Sequence, residues 1–106
     1  PTAIFFGLPI HADVGVTDTE GLRAAIEQPA FHNALVVVAW EHTLIETIAR
    51  ALLAAHGGDA ALVPKWHGSD FDSIYVVTIT GNGADAKATF AHMHEGLDGQ
   101  PDTCPR

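Results

Sequence analysis

The run of residues 34–39 constrains the fold of this chain more than any other stretch. It holds six consecutive apolar residues, three of them valines. A strand with one face in water alternates apolar and polar residues, whereas this run does not, so it predicts a strand covered on both faces in a mainly parallel sheet. The expected fold class is α/β, with four to five mainly parallel strands, helices on both faces and an antiparallel edge hairpin.

Titratable groups follow this predicted strand directly, at Glu41 and His42, and Thr43 then opens a helical pattern. Ligands in open α/β sheets bind beyond the carboxyl ends of strands, and anions favour helix amino termini. We therefore expect His42 to lie where an oxyanion is held, with Glu41 and Thr43 as further substrate-binding candidates. Glu41 could serve as an acid or orient His42, but adjacent residues at a strand end usually point to opposite sides.

The segments on either side of this run contain sequence patterns that predict individual helices, strands and a turn. A capping box at Thr17–Glu20 predicts a helix over 18–28 that ends before Pro29, and an apolar stripe predicts a second helix over 43–56. Residues 74–80 have the β-rich composition of a strand. A glycine-containing turn at 81–85 then leads to an antiparallel edge strand over 87–93.

The amino-terminal segments 2–6 and 8–14 are both strand-like, yet only Gly7 separates them. Parallel neighbours need a crossover of a dozen or more residues. The two segments are therefore expected to form one bent strand, or else a connecting element is missing.

Several of these pieces together resemble the carboxyl-terminal half of the histidine phosphatase superfamily, also called phosphoglycerate-mutase-like. The resemblance rests on the strand 36–42 with its Trp-Glu-His ending, the helix 43–55, Pro64-Lys65-Trp66, and the strand 70–77 with its Phe-Asp-Ser-Ile-Tyr-Val sequence. It covers about residues 8–93. The combination is more specific than any single piece.

The resemblance implies a role for one residue. In this family an Arg-His-Gly motif supplies the phosphorylated histidine, arginines bind the phosphate, a carboxylic residue donates a proton, and a second histidine contacts the transferred phosphoryl group. His42 matches that second histidine, which implies a catalytic and substrate-binding role. The chain contains no Arg-His-Gly motif, and Arg23, Arg50 and Arg106 match none of the family's arginines.

We accordingly expect residues 1–106 to form a single, partial domain of this family. It would hydrolyse phosphomonoesters or transfer phosphoryl groups only where the missing motif is supplied, and would be inactive alone. A small phosphorylated molecule is the expected partner, and no cofactor is expected. An uncovered strand edge, where the missing strand would dock, predicts a homodimer.

Charge and composition argue against several other classes of binding partner. Five basic residues against 13 acidic ones give a net charge of −8, which argues against nucleic acid and anionic membranes. No apolar run approaches 18 residues and no signal peptide is visible, so a soluble, cytoplasmic protein is expected. The single cysteine, Cys104, excludes an internal disulfide.

Two other functions stay open. The first is a non-catalytic domain that binds a small anion or a protein. The second is a metal-binding module built on His92 and His94, whose i, i+2 spacing places them on one face of a strand. A third ligand would come from another histidine: His11, His32, His56 or His67. Two imidazoles alone do not make a metal site, so no metal ligand is assigned.

Overall fold

The computed structural model describes residues 2–97, 99–101 and 103. Cys104 and Arg106 lie outside these described residues. The chain forms three α-helices and two strands: α1 (Thr2–Phe6), α2 (Thr19–Ile26), α3 (His42–Ala55), β1 (Ser73–Thr80) and β2 (Lys87–His94). Single 3₁₀ turns occur at Pro29–Phe31, Ala60–Leu62 and Gly83–Asp85.

Strands β1 and β2 form an antiparallel hairpin, as the sequence predicts. Ser73 pairs with His94 at one end of the ladder and Thr80 with Lys87 at the other. Gly81 and Gly83 adopt positive φ angles of 94° and 56° in the connection. Side chains of other residues rarely adopt such angles, so these two glycines permit the reversal of the chain.

Helix α3 packs its apolar stripe against one face of this hairpin. Its Ala49 and Leu53 form the core with Val63 and Ala88, and Leu53 is fully buried. Three half-buried side chains of the hairpin close the cluster: Tyr75, Val77 and Phe90. The α3 prediction is confirmed to within a residue at each end, because an i, i+3, i+4 stripe specifies both the helix and its buried face.

Helix α2 is also confirmed, although it is shorter than predicted. The capping box expected at Thr17 is wrong, since the N-cap is Asp18, whose carboxylate accepts a hydrogen bond from the Gly21 N–H at 2.9 Å. The helix lies against α3, where the Glu27 carboxylate contacts the His56 Nε2 atom. Arg23 forms ion pairs with Glu20 and Glu27 along the same helix.

The predicted sheet of four to five mainly parallel strands is wrong. Within the described residues the sheet has two strands, and they are antiparallel. The run 34–39 belongs to no strand there, and its side chains are exposed, with Leu35 at 91% and Val37 at 70%. An apolar composition favours burial, but a strand also needs a neighbouring strand for its backbone groups, and no described segment pairs with this run.

The amino-terminal prediction is also wrong. Residues 2–6 form the short helix α1, and 8–14 contain neither helix nor strand. Gly7 has a φ of 64°, which ends the helix in the left-handed conformation that glycine favours. The edge hairpin is the one part of the predicted sheet that the described residues contain. None of their helices is long and apolar enough to cross a bilayer.

Candidate functional site

His42 and Glu41 form a close pair at the amino terminus of α3. Glu41 is the N-cap residue and His42 opens the helix. The Nδ1 atom of His42 lies 2.6 Å from Oε1 of Glu41. Because an ionised carboxylate only accepts hydrogen bonds, Nδ1 carries the proton that is shared, and in neutral His42 the Nε2 atom is the basic one.

The second carboxylate oxygen of Glu41 caps the helix. Oε2 accepts hydrogen bonds from the N–H groups of Thr43, at 3.0 Å, and Leu44, at 3.2 Å, and from the Thr43 hydroxyl. The Thr43 hydroxyl is the main reason that the pKa of Glu41 lies below its usual value, and the backbone N–H groups and His42 lower it further against a partial desolvation. Glu41 therefore occupies the helix terminus as an anion.

Part of His42 stays open to solvent, since 45% of its side chain is exposed. A loop passes beside its basic nitrogen. A Cβ atom placed on Gly68 would lie 3.8 Å from Nε2 of His42, in ordinary van der Waals contact. The loop thus passes close to the Nε2 side of the ring without enclosing the whole side chain.

The same loop leads to a second polar group, formed by Asp70, Ser73 and His92. The Ser73 hydroxyl donates to Oδ2 of Asp70 at 2.5 Å and lies 2.7 Å from Nε2 of His92. Oδ1 of Asp70 accepts from the N–H groups of Asp72 and Ser73, both at 2.9 Å. Ser73 is nearly buried, at 7% exposure.

This arrangement lowers the pKa of the Asp70 carboxyl to about 2. The hydrogen bond from the Ser73 hydroxyl contributes most, and the backbone N–H groups of Asp72 and Ser73 add to it. In a nucleophilic triad the histidine stands between serine and carboxylate, whereas here serine stands between the other two. Asp70 therefore holds the start of β1 in place and does not activate Ser73 through His92.

The two histidines of β2 lie side by side. The ring centroids of His92 and His94 are 4.5 Å apart, and Nδ1 of His94 lies 3.4 Å from Oδ2 of Asp72. Asp72 is buried and also accepts from the Leu97 N–H at 2.5 Å. Across the described part of the chain, no group of three or more potential ligands is arranged to hold a metal ion.

Both arginines within the described ranges are engaged away from His42. Arg23 pairs with Glu20 and Glu27. Arg50 contacts Glu46 at 3.3 Å and donates to the Val63 carbonyl at 3.0 Å. The His42 pair thus combines an open imidazole with a carboxylate and has neither arginine next to it.

No protein-family model, curated protein or solved structure matches this chain.

The structure brings all three predicted site residues together at the start of α3. The expectation that Glu41 and His42 point to opposite sides is wrong, because their atoms lie 2.6 Å apart. Alternation applies within a strand, whereas here the chain passes into a helix at His42. The orienting role considered for Glu41 agrees with this contact.

Sequence reasoning missed the group of Asp70, Ser73 and His92. The turn from Asp70 to Ser73 was recognisable in the sequence, because an aspartate three residues before a serine is typical of a turn closed by side-chain hydrogen bonds. No sequence pattern indicated the contact from Ser73 to His92. It depends on the register of the hairpin, which brings residues 19 apart in sequence to 2.7 Å.

Proposed function

We propose that His42 contacts the phosphoryl group of a small phosphomonoester, in a domain that hydrolyses or transfers that group when the other catalytic residues are supplied. One observation carries this proposal: the Nδ1 atom of His42 is held by Glu41 while 45% of the His42 side chain remains exposed. The resemblance of the Trp-Glu-His segment to the histidine phosphatase superfamily supports the choice of phosphate among anions.

The chemistry of such a site needs more than one imidazole. Phosphoryl transfer requires cationic groups on the equatorial oxygens, a nucleophile in line with phosphorus and a proton for the leaving oxygen. Protonated His42 supplies one positive group, and its Nε2–H can donate a hydrogen bond to a phosphoryl oxygen. Glu41 orients the ring through its contact with Nδ1.

Glu41 also weakens anion binding by this chain alone. Its carboxylate takes the N–H groups of Thr43 and Leu44, which a phosphate at a helix amino terminus would otherwise use. Arg23 and Arg50 are paired elsewhere. We therefore expect weak phosphate binding through His42 and no turnover without further cationic groups.

A titration with inorganic phosphate, followed by NMR of the histidine side chains, tests the proposal. The His42 ring signals should shift with phosphate concentration, while those of His32, an exposed histidine outside the pair, should not. The variant His42→Ala should abolish the specific shift and His32→Ala should retain it. Equal shifts at both histidines, or none at His42, would contradict the proposal.

An activity assay with p-nitrophenyl phosphate completes the test. The chain alone should give no turnover above background. Turnover that persists unchanged in His42→Ala would also exclude the proposed role, because the activity would then not depend on this imidazole.

A protein-binding role is the second candidate, and the exposed apolar residues around α1 and 34–38 favour it. Apolar surface of this extent on one face is typical of an interaction site. A homodimer that forms through these apolar residues would be one instance of this protein-binding role.

A further inference from the structure

One face of the molecule is apolar and free of charged side chains. It consists of α1, Leu8 and residues 34–38, and we call it the apolar face. Neither 2–10 nor 34–40 contains an Asp, Glu, Lys or Arg in a chain of net charge −8. Five large side chains on it are at least half exposed: Phe5, Phe6, Leu8, Leu35 and Val37.

The apolar face contains a groove with a neighbouring protrusion. A cavity of about 330 Å³ is lined by Thr2, Phe6, Leu8, Leu35 and Val37. Beside it stands Phe5, which is 82% exposed and whose ring centroid lies 4.9 Å from that of Phe6. A cavity of about 150 Å³ accommodates a benzene ring, so this groove has room for a phenyl side chain.

We propose that the apolar face is the interface of a homodimer, in which Phe5 of each copy enters the groove of the other across a two-fold axis. A two-fold interface uses the same patch on both subunits, which requires a patch that carries both the protruding group and its receptor. The apolar face meets this requirement, since Phe5 and the groove lie side by side.

The size and charge of the face fit a second copy as the occupant. An exposed phenylalanine offers about 150–250 Å², so Phe5 and Phe6 supply on the order of 300 Å², and the aliphatic side chains Leu8, Leu35 and Val37 add to it. A standard interface buries about 800 Å² on each partner. The absence of charge within the face also lets two acidic copies approach there without placing carboxylates against each other.

The backbone of the same segment is available for pairing. Within the described residues, the N–H and C=O groups of 35–39 form no hydrogen bonds. Antiparallel pairing of this segment with its copy across the two-fold axis would satisfy the groups on one edge of it, which are those of alternate residues. The proposed interface is thus distinct from the edge of the β1–β2 hairpin, and it does not depend on the phosphate proposal for His42.

Sedimentation velocity over a range of concentrations tests the dimer. The unsubstituted chain should sediment as a dimer at high concentration and dissociate on dilution. The variants Phe5→Asp and Leu35→Asp should each weaken dimerisation by roughly tenfold or more, because a carboxylate would be buried in an apolar contact. Leu62→Asp is the matched control, since Leu62 is 58% exposed but lies outside the apolar face, and it should dimerise normally.

Two further measurements check that the variants remain folded and that residues 34–38 lie in the dimer interface. Far-UV circular dichroism of all variants should be unchanged, because each substituted side chain is exposed. Hydrogen exchange should show slower exchange at 34–38 in the dimer than in the monomer. A monomer at every concentration, loss of the dimer in Leu62→Asp, or Phe5-dependent binding of the monomer to phosphatidylcholine vesicles would each overturn the proposal, the last by assigning the face to lipid.

Discussion

Glu41 binds His42 on one side and the first turn of α3 on the other. Its Oε1 atom lies 2.6 Å from Nδ1 of the imidazole, while Oε2 accepts from the Thr43 and Leu44 N–H groups. One carboxylate thus fixes the start of the helix and the orientation of the ring. Because Nδ1 is engaged by Glu41, Nε2 is the nitrogen of His42 that a ligand would contact.

This relationship predicts the tautomer of His42. At a pH where the ring is neutral, ¹⁵N NMR should show the proton on Nδ1, because Glu41 can only accept. In Glu41→Gln the signals should move toward a mixture of the two tautomers, since the amide can also donate. The same substitution at Glu20, which pairs with Arg23, is the control. An unchanged His42 spectrum in Glu41→Gln would show that the contact is absent in solution.

Asp70 makes stability dependent on pH under acidic conditions. Its pKa is about 2 in the folded chain against an ordinary 3.8. A carboxyl with a lowered pKa stabilises the fold above 3.8, and this contribution is lost as the pH falls toward 2. Urea unfolding measured across that window should therefore show falling stability, and a shallower fall in Asp70→Asn.

Asp13 provides the control for this experiment, because it is exposed in the irregular segment before α2. Asp13→Asn should keep the pH dependence of the unsubstituted chain. If Asp70→Asn keeps it as well, then Ser73 and the backbone N–H groups do not stabilise the Asp70 carboxylate as described.

Tyr75 is the single tyrosine of the chain, so ultraviolet absorbance reports its ionisation directly. Partial burial is the main cause that raises its pKa above 10.0, and the charge of Glu46 adds to the effect. The unfolded chain then loses this proton at lower pH than the folded one, so stability should decrease as the pH rises through 10. A titration midpoint at or below that of the urea-unfolded chain would contradict this.

The hydroxyl of Tyr75 also donates to the Pro64 carbonyl at 2.9 Å. Tyr75→Phe should remove this bond and lower the free energy of unfolding by about 1 kcal/mol. It should also abolish the alkaline loss of stability, because phenylalanine does not ionise. The measurement is urea unfolding at neutral and alkaline pH.

Leu53 should be the most sensitive position of the core. It is fully buried between α3 and the hairpin, so Leu53→Ala should lower the free energy of unfolding by about 2–5 kcal/mol. Leu62→Ala, at a leucine that is 58% exposed, should change it by less than about 0.5 kcal/mol. Similar losses at both positions would contradict the assignment of the core.

A comparison of residues 34–39 with α3 shows which parts of the fold a local sequence pattern can predict. Helices α2 and α3, strands β1 and β2 and their turn were predictable from sequence, because periodicity, capping residues and turn glycines act over a few neighbouring positions. The valine run has an equally strong pattern, yet it forms no strand in the described residues. Burial of this run would require a neighbouring strand or helix, and a local sequence pattern does not specify which segment that is.

In the candidate site, too, some features follow from the local sequence and others from the packing of distant segments. The sequence by itself determined that Glu41, His42 and Thr43 would stand together at the start of a helix. Only the tertiary structure decided that Ser73 reaches His92 and that the apolar face lies open. These features depend on side-chain direction and on contacts between distant segments, which are set when helices and hairpin pack and not by the order of residues within any one of them.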